Sequence, residues 1–361
     1  MVWPLVFWGW LEISPVVIHT RLMALGCMGS FIFGFLGTSL PRLLETRPMA
    51  WFETGSLLTI QVLACGFYLF DRVATGDLLI AVNVVLLVVL VGIRFPHRKD
   101  LPAPGFLIFL PAFVSLMGGL ALARWVRMSE DAVQWDLLAR LLIYHGFLLC
   151  CLLGAGGFLL PRFLGLGLRR RYGSSRTPDS NWGRSGLVAL FAGVLLPASF
   201  AFDVYELYGL GGVFRALVIV GYFAWEMPLE RLRWSWRGVD WALVLGLVCL
   251  PLGVFFAGWF AGYRVALTHI ELGGVGLLTF GVATRVVMGH TGGRDLLERF
   301  HPWLTTVFSL MVIGVSSRIV GEMIPRLMVT HYIYGALCWA ISGLIWGWIV
   351  IKRIPKPDPE G

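Results

Sequence analysis

The chain has 361 residues, of which 58% are hydrophobic and 14% are charged, and its formal net charge is +8. Soluble domains carry about 25% charged residues, so this composition excludes an ordinary soluble domain and predicts an all-α, polytopic bundle of transmembrane helices. The basic residues are scattered over short loops, which is typical of membrane topology signals and gives no reason to expect nucleic acid as a partner.

Apolar runs of about 17–25 residues predict eleven spans along the chain. They cover residues 17–43, 54–70, 77–95, 103–124, 137–161, 185–207, 211–231, 240–262, 264–289, 303–325 and 330–351. We treat residues 1–361 as a single integral membrane domain, in which a basic loop near 168–184 separates two halves. The lipid bilayer is therefore the first predicted partner.

The distribution of Lys and Arg predicts the orientation of these spans. Nineteen basic residues lie in one set of alternate loops and five in the other. Because basic loops face the cytoplasm, the 168–184 loop and the C-terminus are predicted to be cytoplasmic. An odd number of spans then leaves the N-terminus outside.

The seven histidines separate by depth in this topology. His97, His290 and His301 fall at the cytoplasmic side. The other four share the outer third of the membrane and are His19, His145, His269 and His331. Ionisable residues within spans are functional-site candidates, and neutral imidazole is a ligand for iron and copper. These four histidines therefore predict a haem or metal site near the outer face.

Glycines follow three of these histidines on the same helix face. They are Gly26 after His19, Gly273 and Gly276 after His269, and Gly335 after His331. One interpretation is that they leave room for a flat macrocycle against the backbone. The alternative is that they let membrane helices approach closely. The chain has no C-x-x-C-H motif, so a haem would be of the non-covalent b type.

Two arginines at the same depth, Arg140 and Arg318, are costly in lipid unless they are paired. Haem propionates are natural partners, because a guanidinium group binds a carboxylate through two hydrogen bonds. Arg21 is a third candidate at the interface. The competing interpretation pairs Arg318 with Glu322 four residues later. It also pairs Arg140 with Asp203 or Glu206.

Three stretches resemble the NnrS family of multispanning bacterial inner-membrane proteins. "THIELGGVGLLTFGVATRVVMGHTGGR" is similar to the family's segment of a His, a Gly-rich helix, a Thr-Arg pair and Gly-His-Thr-Gly. The first span, "IHTRLMALGCMGSFIFGFLGTSLPRL", resembles the family's Trp-His-Ala-His-Glu-Met helix, and "LLGAGGFLLPRF" resembles its Gly-Gly-Arg-x-Ile-Pro element. The positions that match are His19, Met23, Gly26, Gly34, Phe35, Leu36, Thr38, Pro41, Gly156, Gly157, Pro161, Phe163, His269, Thr284, Arg285, Gly289, His290, Thr291 and Gly292.

The chain departs from the family pattern at several positions. Arg21 and Leu22 replace the second His and the Glu of the first-span motif, and Phe158 replaces an Arg. An extra Gly precedes Arg294, and we expect the chain to lack the family's additional first helix, so that eleven spans are expected in place of twelve. Because copper usually takes two or three strong ligands, these changes affect a copper site more than haem binding.

The resemblance implies a protein of the inner membrane that binds haem and is associated with copper, that acts in the response to nitric oxide and nitrosative stress, and whose redox partner is unknown. Whether it turns over a substrate is left open. The site residues expected to hold haem or metal are His19, His145, His269 and His331, with Arg140 and Arg318 on the haem carboxylates. The alternatives are a cofactor-free transporter and an assembly or structural subunit of a respiratory complex.

Overall fold

The fold comes from a computed structural model that describes residues 2–10, 15–129, 133–170, 172, 175–293 and 295–353. Three residues of the basic loop (171, 173 and 174), Arg294 and the C-terminal residues 354–361 lie outside the described part of the chain. Among the described residues there is no strand, and the predicted all-α class is confirmed.

Eleven helices are long and apolar enough to cross a membrane, and we number them first to eleventh in chain order. They are Pro15–Leu43, Trp51–Leu69, Val73–His97, Pro104–Val126, Trp135–Phe163, Ser180–Val204, Tyr208–Glu226, Asp240–Trp259, Ala261–His290, Pro302–Met323 and Pro325–Ile351. All eleven predicted spans are confirmed, with ends that agree to within five residues. A short helix, Val2–Phe7, precedes them.

Several helices begin where a side chain accepts from their free backbone N–H groups. Asp179 accepts a 2.6 Å hydrogen bond from the Trp182 backbone N–H at the start of the sixth helix. At the start of the tenth helix, Nδ1 of His301 accepts from the Leu304 N–H at 3.3 Å. His301 therefore has a structural role as a helix cap, in agreement with its position in a loop.

The helices form two compact units, which we call the N-terminal unit and the C-terminal unit. The N-terminal unit contains the described residues of 13–158 and 169–206, which include the first four helices, most of the fifth, and the sixth. The C-terminal unit contains the described residues of 1–12, 159–168 and 207–361, with the seventh to eleventh helices. The prediction of a single domain is not tested by this division.

Two helices of the N-terminal unit widen into π-helical turns, Leu22–Met28 in the first and Leu141–Gly146 in the fifth. In the first, the side chain of Gln61 donates a 2.6 Å hydrogen bond to the Leu25 carbonyl. That bond satisfies a backbone acceptor inside the apolar region, where water is absent. Such turns are frequent at functional sites. The turn in the first helix begins next to Arg21, and the turn in the fifth helix contains His145.

Glycines bring helices of the C-terminal unit into close contact. A Cβ on Gly212 of the seventh helix would lie 2.8 Å from the Val254 carbonyl oxygen and 3.0 Å from Cα of Gly258, both in the eighth helix. Gly246 of the eighth helix similarly faces the Gly274 carbonyl of the ninth at 3.1 Å. Because backbone atoms cannot move aside, only glycine permits these approaches.

Candidate functional site

A buried polar network in the N-terminal unit surrounds Arg21. Its Nε lies 2.8 Å and its Nη2 3.0 Å from the carboxylate oxygens of Asp77. Arg127 reaches the same carboxylate at 3.3 Å, and the Tyr68 hydroxyl donates to it at 2.9 Å. Nη1 of Arg21 donates to the Tyr144 hydroxyl at 2.6 Å. Two cations and two phenols thus meet around one carboxylate in the membrane.

This network gives a role to Arg21, which occupies the position of the second histidine in the NnrS first-span motif. Arg21 is buried, and its charge is neutralised by Asp77, so it is already engaged and does not offer its guanidinium group to a ligand. The histidines His19 and His145 flank the network. His19 precedes Thr20 in the chain, and His145 follows Tyr144. The Thr20 hydroxyl donates a 3.0 Å hydrogen bond to the Tyr144 hydroxyl.

Arg140 has neither of the expected partners. Its guanidinium group forms an ion pair with Asp136, one turn earlier in the same helix, and 58% of its side chain is exposed. The predicted pairing with Asp203 or Glu206 is therefore wrong. An exposed, paired guanidinium group at a helix end carries little desolvation cost, so the structure gives Arg140 no need of a haem carboxylate.

The environment of Arg318 in the C-terminal unit is different. Its guanidinium carbon lies 3.4 Å from the centroid of the Tyr332 ring and 5.3 Å from that of Trp3. Within the described part of the chain, its Nη1 atom is buried and has no hydrogen-bond partner. Glu322, the partner expected one turn later, instead accepts a hydrogen bond from the Tyr332 hydroxyl and acts on Arg318 only as a nearby charge.

His269 lies within electrostatic reach of both Arg318 and Glu322. Its Nδ1 atom is 2.9 Å from the Val265 carbonyl oxygen, four residues earlier. Since a carbonyl oxygen can only accept, Nδ1 carries the proton and the lone pair lies on Nε2. This is the tautomer in which second-shell contacts usually hold a metal-binding histidine.

His331 also has its Nδ1 atom engaged, at 2.9 Å from the Ser317 hydroxyl, and that hydroxyl donates to the His331 carbonyl at 3.0 Å. The single hydroxyl proton is thereby used, so Nδ1 of His331 is the donor and Nε2 again has the lone pair. His331 lines a groove of about 490 Å³ between the tenth and eleventh helices, with Ser316, Ser317, Tyr334 and apolar side chains. His269 and Arg318 are not part of this lining.

The space beside each glycine that follows a histidine is occupied by other protein atoms. A Cβ on Gly273 would meet Val315 at 3.0 Å, and one on Gly335 would meet the Gly314 carbonyl at 3.0 Å. Gly276 faces Trp339, and Gly26 faces the Cys65 sulfur. The interpretation that these glycines leave room for a macrocycle is wrong, and close helix packing explains them.

Among the described residues, no three His, Cys, Asp or Glu side chains come close enough together to bind one metal ion. The four outer histidines divide between the units, with His19 and His145 in one and His269 and His331 in the other. Ligation of haem or copper by these residues stays a prediction.

At the other end of the ninth helix, both residues of the Thr-Arg pair have structural partners. Arg285 forms an ion pair with Asp240 of the eighth helix. Thr284 accepts a 2.9 Å hydrogen bond from the Trp346 indole of the eleventh helix. These contacts join three helices at the end where His290 lies.

Asp77, Tyr68 and Ser317 are not among the residues predicted from the sequence. An acid inside the strongly apolar run "GDLLIAVNVVLLVVLVG" is a signal that was available for Asp77, because such residues are rare in spans. For Tyr68 and Ser317 the sequence carries no comparable signal, since their roles depend on which helices are neighbours.

A family model described as NnrS protein matches residues 1–357. No curated protein and no solved structure matches the chain.

Proposed function

The chain belongs to the NnrS family, and from this premise we propose that it binds b-type haem near the outer face of the bacterial inner membrane. At the level of the family, it is a membrane protein of the nitric-oxide response. The proposal adds the cofactor, the residues that hold it and the orientation, with the C-terminus cytoplasmic and the N-terminus outside.

The observation that carries the proposal is the buried Nη1 atom of Arg318, which has no hydrogen-bond partner in the described part of the protein. A buried donor without a partner costs about 1–3 kcal/mol, and more when it is charged. A carboxylate of a bound ligand removes this cost. Haem carries two carboxylates beside an apolar ring, which suits a cation placed among aromatic and aliphatic side chains.

His269 is the residue that we propose as the axial ligand. Its Nδ1 proton is donated to the Val265 carbonyl, which orients the ring and leaves the Nε2 lone pair for iron. It also lies near Arg318, so that one ligand could be held at its iron and at a carboxylate. His331 offers an equivalent Nε2 atom on the groove side and is the second candidate.

The remaining residues keep Arg318 available. The Tyr332 hydroxyl donates a hydrogen bond to the Glu322 carboxylate. This bond weakens the electrostatic attraction between that carboxylate and the guanidinium group of Arg318. The rings of Tyr332 and Trp3 lie against the guanidinium group and restrict its movement. When haem is bound, its iron supplies a position that can take nitric oxide, while the protein controls access and charge.

The test is the haem content of protein purified after expression with haem available. An absorption spectrum and a pyridine haemochrome assay give the ratio of haem to protein for the wild type, His269→Ala, Arg318→Gln and the matched control His97→Ala. We expect both site variants to lose at least half of the haem, and His97→Ala, an exposed residue, to lose none. A wild-type protein without a Soret band overturns the proposal. Copper measured on the same samples tests the copper prediction.

A further inference from the structure

A second cavity lies in the C-terminal unit, at the membrane face that the charge count assigns to the cytoplasm. It measures about 540 Å³. One wall is the turn after the fifth helix, at Leu164–Leu166, and the other is the segment from Glu230 to Asp240 that joins the seventh and eighth helices. No histidine of the proposed haem site contributes to it.

The segment "RLRWSWR" from Arg231 to Arg237 alternates between two kinds of side chain. After Arg231 it is neither helix nor strand, and its backbone is extended at Leu232. Every residue from Arg231 to Arg237 lines the cavity except the two tryptophans, Trp234 and Trp236. Trp234 and Trp236 are 48% and 64% exposed, and their ring centroids are 5.2 Å apart.

The cavity has an excess of positive charge. All three arginines are exposed, and none has an ion-pair partner in the described part of the chain. The lining also contains Glu230 and Asp240, but Asp240 already pairs with Arg285. Guanidinium groups bind phosphate through two hydrogen bonds, so the cavity is suited to a phosphate group.

We propose that this cavity binds the headgroup phosphate of an anionic glycerophospholipid of the cytoplasmic leaflet. The tryptophans favour a lipid over a soluble phosphate, because exposed Trp side chains next to membrane helices lie at the level of the headgroups. The arginines, which alternate with them, must then lie at the same depth. Basic pockets between transmembrane helices on the cytoplasmic side are typical sites for anionic lipid headgroups.

The test uses the full-length protein in dodecylmaltoside micelles, titrated with dioleoylphosphatidylglycerol. Dioleoylphosphatidylcholine, inorganic phosphate and glycerol phosphate serve as comparison ligands. Native mass spectrometry counts the retained lipid, and a thermal melt measures stabilisation. We expect phosphatidylglycerol to be retained and to raise Tm, and R231Q/R233Q/R237Q to weaken this at least about tenfold, because it removes three positive charges that attract an anionic headgroup.

The matched control is K99Q/R176Q/R184Q, which removes three exposed charges from the cytoplasmic side of the other unit and should bind lipid as the wild type does. W234A/W236A should weaken lipid retention while leaving the arginines in place. The proposal is overturned if the two triple variants behave alike, if phosphatidylcholine is retained equally, or if inorganic phosphate alone gives the full stabilisation. If R231Q/R233Q/R237Q does not fold, the three single Gln variants provide the same comparison.

Discussion

The guanidinium carbon of Arg318 lies 3.4 Å from the centroid of the Tyr332 ring, and the hydroxyl of the same tyrosine is bound to Glu322. The Tyr332 hydroxyl donates to Glu322, while the ring face covers Arg318. A cation over an aromatic face gains about 0.5–2 kcal/mol, the larger value when it is desolvated. The Tyr332 side chain thus stabilises the Arg318 cation through its ring and binds the Glu322 carboxylate through its hydroxyl.

Replacing Tyr332 by Phe separates these two roles. The ring over Arg318 stays, but the Glu322 carboxylate loses its donor and is free to turn towards the guanidinium group. We expect Tyr332→Phe to fold and to bind several-fold less haem, measured as the haem-to-protein ratio. Tyr263→Phe, an exposed tyrosine of the same unit, is the control. Unchanged haem content in Tyr332→Phe would contradict the role given to Glu322.

The pair Arg21–Asp77 allows a test of stability that does not depend on any cofactor. Removal of one partner of a buried ion pair costs about 3–5 kcal/mol, because the other charge stays buried without compensation. Asp77→Asn leaves both Arg21 and Arg127 without a carboxylate, whereas Arg21→Gln leaves Arg127 beside Asp77 at 3.3 Å. We therefore expect Asp77→Asn to be the more destabilising change.

The measurement is the free energy of unfolding in detergent for both single variants and for R21Q/D77N. The double variant should be less destabilised than the sum of the two, because the fully buried Arg21 charge is removed together with its carboxylate and only the partly exposed Arg127 is left without one. Arg127→Gln should cost less than Arg21→Gln, since Arg127 is partly exposed, and the exposed Arg124→Gln is its matched control. Strictly additive effects would show that the pair does not act as a unit.

The spans could be predicted from the sequence because a bilayer imposes a length of about 20 apolar residues on every helix. The site could not, because its contacts join distant segments. Arg318 is covered by Trp3, which precedes the first span, and the π-helical turn near Arg21 is completed by Gln61 of the next helix. Arg140 pairs with Asp136, one turn earlier in the same helix, in place of the more distant acids Asp203 and Glu206, and its binding of a haem carboxylate stays a prediction.

Glycine substitutions offer a further test, because the sequence does not distinguish glycines at close helix contacts from glycines in open space, whereas the structure does. Gly212 and Gly221 lie in the same helix, but a Cβ would meet the backbone of the eighth helix only at Gly212. We expect Gly212→Ala to destabilise the protein by about 1–3 kcal/mol through overpacking. Gly221→Ala, with open space around it, should be neutral or up to about 1 kcal/mol more stable, because alanine favours the helix. Equal melting temperatures for the two variants would contradict the close contact.

Ligation by His269 can be separated from a general effect on folding by chemical rescue. His269→Gly removes the imidazole and leaves a space at the ninth helix, while Arg318, Tyr332 and Glu322 stay in place. If His269 binds iron through Nε2, free imidazole should enter this space and restore the haem content and the Soret band. His331→Gly is the comparison, because its ring has a different support in Ser317. Rescue in His331→Gly alone would assign the ligand to His331, and loss of haem without rescue in either variant would indicate that neither ring binds iron.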